Sequence, residues 1–146
     1  MGYTHYYRGW VTLSESLVDD IRRIATASGV RLNDYDGTGE PVFEPENMVR
    51  LNGCAADEAD YETFTLVHGV NHSDSLCKTG RRPYDVVVAT ILLRASIRSR
   101  RFKIKSDGEW NEDEWQAARG LYFAVFGELP NKPEGVPEIS GSGARA

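Results

Sequence analysis

The stretch "PYDVVVATILLRASIRSRRFKIKSDG", residues 83–108, decides the fold class of this chain. Its first half can be read in two ways. The β-branched run Val86–Val88 suits a strand. Against that, Pro83 takes a favoured first helical position, and Val87, Ile91 and Arg94 or Ala95 fall on one turn-spaced stripe with Val88 and Leu92 beside it. Unbroken length through Ile97 favours the helix. In the second half Phe102 and Ile104 alternate with Lys103 and Lys105, so a strand is expected there, stopped by Asp107-Gly108.

Downstream, Asn111 and Glu114 make a capping box ahead of Trp115, Ala118, Leu121, Tyr122, Val125 and Phe126, whose spacing marks an amphipathic helix closed by Gly127. Residues beyond Pro130 are rich in Pro, Gly and Ser and have no apolar period. They are expected to form a flexible tail, 131–146, after a single domain, 1–130.

Upstream, "GYTHYYRGWVT" reads as a strand with Tyr3, His5 and Tyr7 on one face and Thr4, Tyr6 and Arg8 on the other. A first helix follows, with Thr12 and Glu15 as capping box, Leu17, Ile21 and Ile24 as its stripe and Gly29 as its stop. Turn signals then separate short segments around Val30–Leu32, Pro41–Phe43 and Met48–Leu51, and "YETFTLVHG" alternates over 61–68. Residues 69–82 read as a polar loop. The sum is an α+β fold, about three helices packed on a mainly antiparallel sheet.

The chain has 146 residues, 40% hydrophobic and 27% charged, which is enough for one core without staples. Two cysteines, Cys54 and Cys77, fit neither a disulfide framework nor a metal clamp, and no signal peptide or apolar run of membrane length is evident. A soluble, cytoplasmic protein without a membrane partner is expected. The net charge of −5 is unevenly spread: residues 78–105 hold nine of the 17 Lys and Arg and a single acid, Asp85. An anionic ligand would go there.

Within that segment "CKTGRRPYD" sets Lys78, Thr79, Arg81 and Arg82 around a glycine before a helix start, where unsatisfied N–H groups and the helix dipole favour phosphate. The competing reading is a solvated helix start with Asp85 answering the dipole. On the first strand Tyr3, His5, Tyr7 and Arg8 offer stacking faces, an imidazole and a guanidinium. Here the ordinary alternative, a half-buried strand with a satisfied core histidine, carries more weight. Trp110 is either a lid over the last helix or a second stacking platform, the lid being favoured.

His68, His72, Cys54 and Cys77 match no zinc spacing, and no serine or cysteine nucleophile is marked beside His5, His68 or His72. No metal and no cofactor are expected. The basic run Arg94, Arg98, Arg100, Arg101, Lys103, Lys105 could track a nucleic-acid backbone, but the overall acidity makes nucleic acid the less favoured partner.

Taken together, "GYTHYY", "RLNG" followed by "YETF", "CKTGRRPYDVVVATILLRA", and "SDGEW" before "WQAARGLY" give the chain a likeness over most of residues 2–127. It resembles an uncharacterised family of small phage and bacterial proteins that typically open GYTHYW. Tyr7 stands where tryptophan is usual. The family itself carries no established chemistry; the expectation of a nucleotide sponge, which binds an immune second messenger and hides it from host effectors, comes by analogy with small, acidic, soluble phage proteins that have one polar aromatic pocket. The expected ligand is thus a small phosphorylated molecule, a nucleotide or cyclic nucleotide, bound by a homo-oligomer. Lys78, Thr79, Arg81 and Arg82 would hold phosphate, and Tyr3, His5, Tyr7, Arg8, Tyr84 and Trp110 would frame the rest. The alternatives are a phosphodiesterase-like hydrolase using His5 as general acid or base, and a protein-binding inhibitor of a host factor.

Overall fold

The computed structural model describes residues 2–138. Its elements follow in the order β1 (Thr4–Gly9), α1 (Glu15–Ser28), β2 (Val42–Glu44), β3 (Met48–Leu51), β4 (Phe64–Val67), β5 (Ser75–Lys78), α2 (Asp85–Arg98), β6 (Phe102–Ser106) and α3 (Asp113–Phe126). Six strands and three helices make an α+β fold. The strands form two antiparallel sheets of three, ordered β5-β1-β6 and β2-β3-β4.

The ambiguous run resolves as α2, and its burial explains the ambiguity. Asp85, Val87 to Leu93 and Ala95 are all buried, because α2 packs against α1, α3 and β6 at once. A helix enclosed on all sides is apolar all round, so its sequence shows a weak stripe and tolerates β-branched residues. Leu17, Val18, Ile21 and Ile24 from α1, Trp115, Ala118 and Tyr122 from α3, Tyr7, Phe102 and Ile104 from the first sheet, and Val49, Leu51, Phe64 and Leu66 from the second close one contiguous core around it.

Charges lock the three helices together. Asp20 of α1 accepts from Arg94 Nε at 2.9 Å and from Arg98 Nη1 at 2.8 Å, and Arg94 also donates to the Tyr122 hydroxyl of α3 at 2.7 Å. Two members of the basic run are therefore structural.

Several expectations need correction. Helix α1 is capped by Ser14, whose Oγ accepts the Leu17 N–H at 3.1 Å, and not by Thr12. The N-cap of α3 is Glu112, while Asn111 Oδ1 accepts from Arg119. Val30–Leu32 forms no strand; only Asn33 bridges, to Asn52. Strand β5 lies inside the expected 69–82 loop, because β1 supplies it with a partner: Thr4 faces Lys78 and Tyr6 faces Leu76 in register. Local sequence cannot signal pairing with a strand some seventy residues away.

The expected tail begins too early. Residues 133–137 run along β6, with Val136 fully buried, Gly135 bridged in parallel to Lys105 and the Trp110 N–H donating to the Pro137 carbonyl at 2.6 Å. One valine and a row of backbone donors fasten a segment whose composition looks like linker. The remainder of that tail, 139–146, lies outside the described residues. Among the described residues no helix is long and apolar enough to cross a membrane.

Candidate functional site

β1 is the middle strand of its sheet, so its side chains alternate between the helix side and the outer side, where Thr4 at the strand's start is nevertheless covered. Tyr3, His5 and Tyr7 point inward to the helices and are 2%, 0% and 5% exposed, whereas Tyr6 and Arg8 point outward. A pairing slip of one residue would exchange these two sets.

The inward set is consumed by packing. His5 Nε2 lies 2.7 Å from Asp85 Oδ1, and His5 Nδ1 lies 3.0 Å from Ser106 Oγ. Ser106 Oγ also accepts the Gly108 N–H at 2.9 Å and the Trp115 Nε1–H at 3.0 Å, and Thr79 Oγ1 donates to Asp85 Oδ1 at 2.5 Å. Two N–H donors occupy both lone pairs of Ser106, so its own proton goes to Nδ1 and the imidazole proton sits on Nε2, facing Asp85. The serine, histidine and aspartate thus stand in the order of a hydrolytic triad. The burial of His5 and Asp85, and the filled coordination of Ser106 Oγ, make them instead a clamp that joins β1, α2, β6 and α3.

Tyr7 donates to the Thr65 carbonyl at 2.8 Å and ties the first sheet to the second. Tyr84 donates to the Glu62 carbonyl at 2.5 Å, and burial raises its hydroxyl pKa, as it does those of Tyr3 and Tyr7. Tyr3 Oη is enclosed without a hydrogen-bond partner. Trp110, 7% exposed, packs on Trp115 at 5.8 Å between ring centroids, with the Arg119 guanidinium over it at 4.6 Å. It is the lid and not a platform.

The stretch "CKTGRRPYD" is equally committed. Gly80 (φ 59°) and Arg81 (φ 58°) form the centre of a tight left-handed turn closed by the Arg82 N–H on the Thr79 carbonyl, which explains the glycine. The N–H groups of Thr79 and Gly80 donate to the Tyr3 carbonyl, and that of Asp85 to the Arg82 carbonyl. Arg81 lies over the Tyr3 ring at 4.2 Å and pairs with Glu114 at 3.0 Å, while Arg82 lies over Tyr61 and donates to the Asp60 carbonyl. Turn and helix start are held by internal partners, with the Asp85 carboxylate where phosphate charge would have to sit.

Of the expected site residues, the outer face of the first sheet keeps Arg8 and Lys78. It joins them to Lys103 and Lys105 of the basic run and to Tyr6 and Leu76, which were not expected at a site. Tyr6 faces Lys105 and Arg8 faces Lys103 in the β1–β6 register, and Leu76 of β5 flanks Tyr6 from the other side. Lys105 Nζ lies 5.8 Å from the Tyr6 ring centroid, and the Tyr6 hydroxyl donates to Asp107 Oδ1 at 3.2 Å. Tyr6, Arg8, Leu76, Lys103 and Lys105 wall a hollow of about 300 Å³ together with Asp74 and Ser75. Beside it Trp10, 40% exposed, carries the Arg101 guanidinium over its ring at 4.5 Å. Gly9 makes that arrangement possible: its φ is 90°, and a Cβ there would lie 1.8 Å from the Arg101 carbonyl oxygen. The missed signal was present in two alternations read separately, Thr4-Tyr6-Arg8 and Lys103-Lys105, which share one face only when β1 and β6 pair.

His68 Nδ1 accepts the Leu13 N–H and His72 Nε2 accepts the Val67 N–H, both at 3.0 Å, so each imidazole serves as a backbone acceptor between segments. Burial, chiefly, with the nearby Glu62 carboxylate, pushes the Cys77 thiol up to about 12. Compared with family models, curated proteins and solved structures, the chain finds no match.

Proposed function

We propose that this protein binds a nucleotide on the open face of the β5-β1-β6 sheet, with Tyr6 as the platform for the base and Arg8, Lys103 and Lys105 as the grip for phosphate. The protein holds the nucleotide intact and so withholds it from other proteins. The observation that carries this reading is the β1–β6 register, which sets an aromatic ring among three exposed cations at one hollow. Stacking of a base on such a ring contributes about 1–3 kcal/mol, and each charge-assisted hydrogen bond to phosphate about 1.5–3 kcal/mol. Asp74 and Ser75, on the same wall, supply acceptors and a hydroxyl for the sugar or the base edge. By analogy with small acidic phage proteins that sequester second messengers, the nucleotide withheld is an immune signal.

The test is calorimetric titration of nucleoside monophosphates and triphosphates, with mass spectrometry of the recovered ligand. Arg8→Ala should weaken binding at least about tenfold, whereas Arg81→Ala, whose guanidinium serves Tyr3 and Glu114, should change it less than about twofold. Heat on titration with none of these nucleotides, or an effect of Arg81→Ala equal to that of Arg8→Ala, would refute the reading. Cleaved ligand would replace sequestration by hydrolysis.

A further inference from the structure

The hollow at Tyr6 is one of three that meet at Arg8 and Lys103, two on the open face and one at the β6 edge. A second, of about 460 Å³, holds Trp10 and Arg101 and shares Arg8, Asp74 and Lys103 with the first. A third, of about 490 Å³, shares Arg8, Lys103 and Lys105 with the first and runs across β6 to Lys132. Arg8 and Lys103 therefore lie where all three hollows join, with one aromatic ring in the hollow on either hand.

We propose that the nucleotide unit recognised here is a two-base step of single-stranded nucleic acid, one base on Tyr6, the next on Trp10, and the linking phosphate between them on Arg8 and Lys103. This rests on the reading of the Tyr6 hollow as a nucleotide site and extends it from one residue of ligand to a chain.

Three features of the molecule select a chain. A mononucleotide occupies one ring and one set of cations, and leaves Trp10 without a role. Tyr6 lies on β1 and Trp10 is the residue after its end at Gly9, so the two rings are four residues apart and line different hollows. The backbone of Trp10 is fixed, its N–H donating to the Arg101 carbonyl at 3.1 Å and its carbonyl accepting from Ser99 Oγ at 3.0 Å; Arg101 covers one face of the indole and leaves the other for a base. A single strand is selected over a duplex because only unpaired bases can be splayed onto separate rings. An open chain is selected over a closed ligand because the three hollows join at Arg8 and Lys103, and Lys105 carries positive charge from the first hollow into the third.

Charge fits the same occupant. Arg8, Lys78, Arg101, Lys103, Lys105 and Lys132 are all exposed on this face and its margins, against the four exposed carboxylates Asp74, Asp107, Glu62 beside Lys78 and Glu134 in the third hollow. The chain as a whole carries −5. A polyanion is thus attracted to this face and repelled by the rest, which confines contact to a short track. The unfavourable expectation for nucleic acid came from averaging over the whole surface, and pairing of β1 with β6 removes that average.

The experiment is fluorescence anisotropy with labelled oligothymidylates of one to twelve nucleotides, a duplex of equal length and a cyclic dinucleotide as competitor. Variants Tyr6→Ala, Trp10→Ala and Lys103→Glu are compared after their thermal transitions are shown to match the parent. Affinity should rise from one nucleotide to several, fall at least about tenfold in each variant, be weaker for duplex and fall with salt at a slope of about −2 to −3.5, as three to five phosphate contacts require. Thymidylate monomer bound as tightly as the oligomers, with Trp10→Ala silent, would overturn the chain and leave the mononucleotide site standing. Preference for the cyclic dinucleotide over every oligomer would overturn the open strand, and no binding of any probe would overturn both proposals.

Discussion

Tyr6 and Tyr7 are consecutive in the chain and stand on opposite sides of one sheet: Tyr6 lies beside Lys105 on the open face, and Tyr7 is 5% exposed with its hydroxyl on the Thr65 carbonyl. The pair separates binding from stability. Tyr7→Ala should cost about 3–5 kcal/mol, the range for a large core aromatic, through a cavity beside Phe64 and Phe102 and an unpaired Thr65 carbonyl. Tyr6→Ala should cost less than about 1 kcal/mol in urea denaturation while lowering nucleotide affinity. Equal stability losses in the two variants would mean that both faces of the sheet are core.

Asp85 takes two buried hydrogen bonds on one carboxylate oxygen, from His5 and from Thr79. Asp85→Ala strands both donors and should lower the unfolding free energy by roughly 2–5 kcal/mol. Asp85→Asn keeps an acceptor oxygen for both and should cost distinctly less, as equilibrium denaturation of the two proteins would report. An alanine variant within about 1 kcal/mol of the parent would show that the clamp from Thr79 to Trp115 contributes little.

Alkali should destabilise the protein through groups that the core keeps protonated. The Cys77 thiol moves from an ordinary 9.0 up to about 12 on folding, and the hydroxyls of Tyr3, Tyr7 and Tyr84 move up from 10.0. A raised folded-state pKa means that the native state binds more protons than the unfolded chain above pH 9. The stabilisation is complete below that value and is lost as pH rises towards 12, at up to about 1.4 kcal/mol per pH unit for each such group. Urea midpoints from pH 8 to 11 should fall accordingly, and Cys77→Ala should flatten the early part of the decline. A midpoint independent of pH over that range would contradict the burial of these groups. The same burial, together with that of Cys54, predicts thiols that react with a disulfide reagent only in denaturant.

Much of the architecture was legible because it rests on local rules. The α1 and α3 stripes, their glycine stops at Gly29 and Gly127, and the alternation of β1 and β6 each follow from nearest neighbours. What local rules cannot supply is which strands pair. β5 was unreadable as a strand because its order comes from β1, and the choice of Tyr3, His5 and Tyr7 over Tyr6 as ligand groups turned on which face of β1 meets α2 and α3. The glycine turn at Gly80 gives the same lesson at smaller scale. Its residues match an anion cradle and a tight turn equally well, and only the Arg82 N–H on the Thr79 carbonyl and the Thr79 hydroxyl on Asp85 decide between them.

Val136 carries the last expected outcome, since a single buried valine is what separates a docked segment from a linker. Its side chain is fully enclosed, and its neighbours give the Gly135 carbonyl to the Ser106 N–H and the Pro137 carbonyl to the Trp110 N–H. A chain ending at Pro130 loses all three contributions and should unfold with a free energy lower by roughly 3–5 kcal/mol, while Val136→Ala alone should cost about 1–3 kcal/mol. A chain ending at Glu138 retains every one of these contacts and is the reference against which that loss is read. The loss should be felt at the site as well, because Gly135 borders Lys105 on the β6 edge; nucleotide affinity measured for the two shortened chains should fall only for the shorter. Identical melting of the chain ending at Pro130 and the full-length protein would return residues 131–138 to the linker that their composition suggests.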